Sequence, residues 1–271
     1  MRAIKLYSTG DIRTVDVDVP SPAQNEILIK VEAAGICGTD RHLYHGEFPS
    51  VPEKILGHEF SGIVVDSGET DIAEGARVTC DPNTWCGACS QCQRGRVNLC
   101  PNNLATGIHR DGGFAEFCVF PASKAVVLPD EINPLHGAFC EPLACTLHGM
   151  DMGAAREGET VLVIGGGVIG LMAVQLAKLA GAEVLLLTRS PEKQVLGLNI
   201  GADYAVGTES EVRNIWPEGA DLVVECAGVS ATVTLSHKLA RSGGRVVIPV
   251  SYTHLRAHET REDRVCRLLL E

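Results

Sequence analysis

Cys86, Cys89, Cys92 and Cys100 follow the spacing C-x2-C-x2-C-x7-C in a loop rich in Gly, Asn and Gln. Four thiolates satisfy the tetrahedral preference of Zn2+ and leave no position for water, the pattern of a closed, structural ion. Free or oxidising thiols and an iron–sulfur cluster are the other chemistries open to such a spacing. A second set of donors lies in three separate stretches: Cys37 in AAGICGTDRH, His58-Glu59 in LGHEFSG, and Glu141 in CEPLACTLHG. Taken singly these say little, since a lone cysteine after a strand is more often buried filler. Together they offer one thiolate, one imidazole and carboxylates, a mixture that binds zinc and keeps a position open for water or substrate.

The third chemical feature is Gly165-Gly166-Gly167-Val168-Ile169-Gly170, which fits G-x-G-x-x-G. It follows the apolar run TVLVI and opens the helical run VIGLMAVQLAKLAG, the context that makes the motif informative. Gly165 allows a tight turn, Gly167 lets a pyrophosphate approach the backbone, and Gly170 lets the helix pack on the strand. The N–H groups that start the helix, at Val168 and Ile169, then face the phosphates with the positive end of the helix dipole.

Two kinds of scaffold must position these groups. Up to Pro129 the chain runs in short alternating stretches broken by Gly and Pro, among them EILIKVEAAG, FSGIVVDSG and FAEFCVF. These are half-buried strands joined by turns, in a β-rich, barrel-like unit. From Thr160 continuous apolar strands alternate with helices: TVLVI, VIGLMAVQLAKLAGA, EVLLLTR, a helix near Pro191–Ile200, a strand at Tyr204–Val206, DLVVECAG, a helix at Ser230–Leu239, and GRVVIPV. That rhythm indicates a parallel sheet buried on both faces. After Pro249 the rhythm stops. The stretch VSYTHLRAHETREDRVCRLLLE is dense in Arg and His, has no strand period, and resembles a sequencing adapter translated in frame. The expectation is a non-native tail at 250–271, with a genuine polar C-terminal helix as the alternative.

At 271 residues, 45% of them hydrophobic, the chain is long enough for two domains. No run reaches the roughly 18 uninterrupted apolar residues that a membrane helix needs, and the N-terminus lacks a signal-peptide pattern. A net charge of −11, with no basic cluster before the tail, argues against nucleic acid as a partner. Eleven cysteines in a chain this rich in apolar residues suit metal binding in a reducing compartment better than a disulfide scaffold. A cytoplasmic protein with no membrane partner is expected.

In their order along the chain, GICGTDRH, GHEFSG, the four-cysteine loop, CEPLACTLHG and VLVIGGGVIG resemble the zinc-containing medium-chain dehydrogenases. Glu141 is similar to the polyol (sorbitol, iditol, xylitol) and threonine dehydrogenase branch, where simple alcohol dehydrogenases carry a cysteine. The resemblance implies an α/β chain. A GroES-like, zinc-binding catalytic domain would span residues 1–150, and a Rossmann doubly wound domain 151–249, incomplete at its C-terminus. It implies two zincs per chain, with Cys37 and His58 as direct ligands and Glu59 and Glu141 as ligands or holders of the zinc water. It places Thr39 to accept the substrate's proton and His42 to pass it to solvent. Asp40 is expected to brace the loop, and Cys140 and Cys145 to be packing residues.

Counting along the family pattern puts Arg189 where NAD-binding proteins carry an acidic residue for the ribose hydroxyls. A guanidinium suits a 2′-phosphate instead, with Ser190 and Lys193 as helpers, so NADP(H) is expected over NAD(H). Glu225 ends a later strand on the expected nicotinamide side, with no role assigned. The implied reaction is hydride transfer between a secondary alcohol, a polyol, and the nicotinamide. A threonine 3-dehydrogenase and a zinc-stabilised nucleotide-binding module without turnover are the alternatives. The full-length parent is expected to be a homodimer or homotetramer. A chain that stops near Pro249 would expose a sheet edge, with aggregation and inactivity as the expected cost.

Overall fold

Alternation of buried and exposed side chains builds the first half of the computed structural model, which describes residues 1–250 and 266–269. Its strands are β1 (Arg2–Ser8), β2 (Asp11–Asp16), β3 (Glu26–Gly35), β4 (Lys54–Ile55), β5 (Glu59–Asp66), β6 (Arg77–Cys80), β7 (Asn83–Thr84), β8 (Leu104–Ala105), β9 (Phe117–Pro121) and β10 (Ala125–Val127). A five-stranded antiparallel sheet has the order β10-β6-β5-β3-β9, beside a three-stranded sheet β2-β1-β4 and the hairpin β7-β8. Ile27 and Ile29 of β3 pack inward on Phe60, Val64, Val78 and Phe120, with Phe60 and Phe120 edge to face at 5.8 Å. Cys80 and Cys118 are part of this apolar core, and burial holds both thiols well above their usual pKa. Four helices join these strands: α1 (Gly38–His45), α2 (Ser90–Gln93), α3 (Pro134–Ala138) and α4 (Cys140–Gly153).

The chain divides into the units Met1–Glu141 and Pro142–Glu271. The division falls in the first turn of α4. The reason is packing: Met150 and Gly153 sit against the core of the second unit, Gly153 beside Leu222 and Val247.

The second unit holds β11 (Thr160–Ile164), α5 (Val168–Leu179), β12 (Glu183–Leu187), α6 (Pro191–Asn199), β13 (Tyr204–Val206), α7 (Glu209–Ile215), β14 (Ala220–Glu225), α8 (Ser230–Leu239), β15 (Ala240–Ile248) and β16 (Cys266–Leu269). The sheet order is β13-β12-β11-β14-β15-β16, and every pair up to β15 is parallel. Along β11, Val161 and Val163 face Ala173, Val174 and Ala177 of α5. Leu162 and Ile164 face the opposite core, with Val212 of α7 and Val233 and Leu239 of α8. Both faces are therefore buried, which is why these strands read as unbroken apolar runs. The order of strands reverses beside β11, and a crevice outside the strand ends forms at such a reversal.

The tail expected at 250–271 lies outside the described residues except for Val250 and β16. Cys266–Leu269 pairs antiparallel with β15, from Ile248 opposite Cys266 to Arg245 opposite Leu269. An open sheet edge offers unpaired N–H and C=O groups, and the short segment CRLL completes them. Among the described residues no helix is long and apolar enough to cross a membrane.

Candidate functional site

Two motifs far apart in sequence meet because β3 and β5 pair antiparallel, with Gly35 opposite Glu59. Cys37 lies just past the end of β3 as the N-cap of α1, while His58 immediately precedes β5 and Glu59 begins it. The Cys37 sulfur, a His58 ring nitrogen and a Glu59 oxygen all lie within 4.8 Å of one another. Tetrahedral ligands of zinc stand about 3.3–3.8 Å apart, so small side-chain adjustments close this set on one ion. Gly35 is part of the arrangement: a Cβ there would fall on the Glu59 carboxylate.

Electrostatics also point to a cation. Burial, then the charge of Glu59, pushes the Cys37 thiol up to about 12, while hydrogen bonds from Thr39 partly offset this. Burial and the charge of Glu141 push Glu59 up to about 7. The charged neighbours of these two groups, namely each other, Asp40 and Glu141, are all acidic. Ligands must be deprotonated to bind, and a divalent cation is the charge that makes this cluster of anions favourable. The donor set therefore fits zinc.

The surrounding residues brace the donors. Asp40 accepts from the Cys37 N–H at 2.9 Å, and its other oxygen lies 3.7 Å from His58 Nδ1, both side chains being buried. A carboxylate behind a ligating histidine fixes ring orientation and raises ligand basicity. Burial raises Asp40 to about 6 against the pull of backbone N–H groups. Thr39 is buried, with its N–H and hydroxyl turned to the Cys37 sulfur, and His42 stands three residues on along α1, on the same helix face. Glu141, in the first turn of α4, bears electrostatically on Cys37, Asp40 and Glu59 but is not one of the three clustered donors. Cys140 donates weakly to His136 O at 3.7 Å, and neither it nor Cys145 belongs to a cluster of metal donors among the described residues.

The four-cysteine loop closes on itself. Its base is the β7-β8 hairpin, tied by Asn103 to Asn83 at 2.9 Å, and α2 and the turn Val97–Leu99 deliver the last cysteines. Cys86, Cys89, Cys92 and Cys100 lie within 4.8 Å of one another, Cys100 being 3.5 Å from Cys86 and 3.9 Å from Cys89. Zn–S bonds of about 2.3 Å in a tetrahedron give S–S edges of about 3.8 Å, so one ion fits and a multi-iron cluster does not.

In the second unit the glycine turn follows β11. A Cβ on Gly170 would overlap the Gly165 carbonyl oxygen, whereas one on Gly167, the N-cap of α5, would meet nothing within 4 Å. The first feature packs helix on turn and the second leaves the backbone open to a ligand. No side chain caps α5, so its leading N–H groups are available to phosphate. Gly170→Ala is expected to cost about 1–3 kcal/mol of stability, as overpacking does, and to remove the thermal shift that a nicotinamide dinucleotide produces in the parent. A melting curve with and without cofactor checks both. Arg189 follows β12 and Thr188; it is exposed and makes no hydrogen bond or ion pair among the described residues. Ser190 caps α6 by accepting from Lys193 N–H at 3.4 Å. Glu225 is fully buried at the end of β14 and accepts from the N–H groups of Ala227 (2.8 Å) and Gly228 (3.1 Å), a brace for the loop that packs on Gly165. Sequence reasoning had no signal for this brace, nor for Glu47 against His42 at 2.5 Å.

Residues 23–130 match the family model for the alcohol dehydrogenase GroES-like domain, and residues 168–251 that for zinc-binding dehydrogenases. The sorbitol dehydrogenase of Halalkalibacterium halodurans is 35% identical over 250 residues, covering 88% of this chain and 73% of that protein. The L-threonine 3-dehydrogenase of Bacillus licheniformis is 37% identical over 243 residues, covering 85% and 70%. A Sinorhizobium meliloti 1021 protein described as a zinc-binding dehydrogenase, solved bound to NADP, superposes with a TM-score of 0.90 at 51% identity, covering 96% of this chain and 79% of that one. The two units are thus a GroES-like β domain and a Rossmann-type parallel sheet, and the chain belongs to the zinc-containing medium-chain alcohol dehydrogenase family.

Proposed function

We propose that the chain oxidises a secondary alcohol of the polyol class to a ketone, with NADP+ as the favoured hydride acceptor. The observation that carries the reading is the Cys37–His58–Glu59 cluster, its His58 and Glu59 buried and Cys37 half-buried, with Thr39 and His42 on the helix that Cys37 caps. When bound, zinc polarises the alcohol oxygen and lowers its pKa, and the nicotinamide takes the hydride. The chain's own residues do the rest. Cys37, His58 and Glu59 hold the ion, with Glu141 a carboxylate for the fourth position or its water. The Thr39 hydroxyl receives the substrate's proton, and His42 carries it outward. Cys86, Cys89, Cys92 and Cys100 hold the second, structural zinc.

For the cofactor, Gly165, Gly167, Val168, Ile169 and Gly170 offer backbone to the pyrophosphate, and Arg189 offers an exposed guanidinium to a 2′-phosphate. The relative of known structure bound to NADP supports the same choice. Arg189→Ala is expected to weaken NADP+ binding about 10- to 100-fold, the worth of one charge-assisted hydrogen-bonded pair, and to leave NAD+ within about twofold. Titration of both dinucleotides checks this; equal loss for the two would mean that Arg189 does not read the phosphate.

A threonine 3-dehydrogenase activity is the second reading, favoured by the 37% identity to such an enzyme. A nucleotide-binding module without turnover is disfavoured by the retained zinc donors. The test is a dehydrogenase assay with a panel of polyols and L-threonine against NAD+ and NADP+. Ketone production from a polyol with NADP+ supports the proposal, turnover of threonine alone replaces its substrate, and turnover with NAD+ alone replaces its cofactor.

A further inference from the structure

The C-terminus of α1 folds back on itself. Gly46 takes φ 71° and ψ 17°, a left-handed conformation that side chains resist, and a Cβ there would also sit 2.6 Å from Thr9 Oγ1. In this turn the Gly46 N–H donates to Leu43 O at 3.1 Å and the Glu47 N–H to His42 O at 2.9 Å. Residue 47 is thereby returned alongside residue 42 by backbone bonds. Glu47 Oε2 lies 2.5 Å from His42 Nδ1 as a consequence. The same hydrogen bond is the main reason that the Glu47 carboxyl lies below its usual range; the charges of His42, His45 and Arg41 add to it.

A carboxylate that stays ionised can only accept, so the proton in this bond belongs to Nδ1. A neutral imidazole with its proton on Nδ1 has a bare Nε2. We propose that Glu47 is a positioning residue of the proton relay: it fixes His42 as the Nδ1–H tautomer and presents Nε2 as the accepting atom. This rests on the reading of Thr39 and His42 given under the proposed function. The alcohol's proton passes to Thr39 Oγ as the Thr39 proton passes to His42 Nε2. The hydride, with its electron pair, goes to the oxidised nicotinamide. The imidazolium, held on Glu47, then gives one proton to water. Alcohol and oxidised cofactor thus become ketone, reduced cofactor and one proton.

The pair is partly open to solvent, His42 at 33% and Glu47 at 54%, so its own strength is small and its effect lies in tautomer and orientation. Long-range proton–nitrogen correlation of the labelled full chain reads the tautomer directly, with His42 assigned by the signals lost in His42→Gln. At a pH where the ring is neutral, the expected pattern is a protonated Nδ1 and a bare Nε2. In Glu47→Ala this pattern should average or reverse. A proton on Nε2 in the parent, or an unchanged pattern in Glu47→Ala, would overturn the proposal. Turnover separates it from the reading beneath it. Glu47→Ala is expected to lose about three- to tenfold in kcat at unchanged KM for the cofactor, a fraction of the roughly 10²–10⁴ that a general base supplies. Loss in His42→Gln but none in Glu47→Ala would overturn this inference alone, whereas undiminished turnover in His42→Gln would overturn the relay itself.

Discussion

His58→Ala is expected to lower turnover by about three orders of magnitude while the chain stays folded. The side chain is 3% exposed, with a ring nitrogen within 4.8 Å of the Cys37 sulfur and Nδ1 3.7 Å from Asp40. Removing it takes one of three clustered donors and leaves two groups that burial already holds toward their protonated forms, Cys37 near 12 and Glu59 near 7. The ion should then be lost from this site. Charge stabilisation by such an ion is worth several kcal/mol, and each ~1.4 kcal/mol is a factor of ten in rate. The folding cost is smaller, about 1–3 kcal/mol against a domain stability of about 5–15 kcal/mol. Circular dichroism and retention of the four-cysteine zinc serve as controls for folding. Unchanged turnover in a folded variant would end the catalytic assignment.

Cys100→Ser is expected to have the largest effect on structure. Cys100 is fully buried, lies near the sulfurs of Cys86 and Cys89, and accepts from the Cys86 N–H at 3.4 Å. Among the described residues no apolar cluster supports this loop: none of its other cysteines is buried, and α2 buries no residue. Beyond its hairpin base and local turns, the metal is therefore the tie expected to hold it. Structural zinc contributes about 10–16 kcal/mol to isolated zinc-finger peptides. The lobe is only one loop of a larger unit, so the loss should be local and not global. The β3-β5-β6 core has its own packing and should persist. Limited proteolysis is the appropriate measurement, with new cleavage expected between Trp85 and Leu104 and the rest of the chain resistant. A variant as resistant as the parent would show that the loop is held by something other than the ion.

These two sites differ in how far the sequence discloses them. The four cysteines are local: turns alone bring them together, so their spacing is enough. The other donors come from separate stretches, and only the pairing of Gly35 with Glu59 brings Cys37, His58 and Glu59 together. Residue types reveal that chemistry but not which carboxylate is nearest, and Glu141 illustrates the gap by acting on the cluster through its charge without belonging to it. The parallel sheet was legible because both of its faces are buried, which leaves unbroken apolar runs. By contrast α7 has little apolar signal in ESEVRNI, although its start is marked by Thr208, whose hydroxyl accepts from the Glu211 N–H. The contact between His42 and Glu47 was hidden for another reason. It depends on a left-handed turn at Gly46, and a glycine after a helix does not say which side chains the turn will join.

Zinc content per chain tests the central claim most directly. Two ions are predicted for the parent, one for His58→Ala, one for Cys100→Ser and none for the double variant, in protein purified without added metal. A parent that holds a single ion, kept in His58→Ala and lost in Cys100→Ser, would contradict the account and leave a zinc-stabilised fold without a catalytic metal.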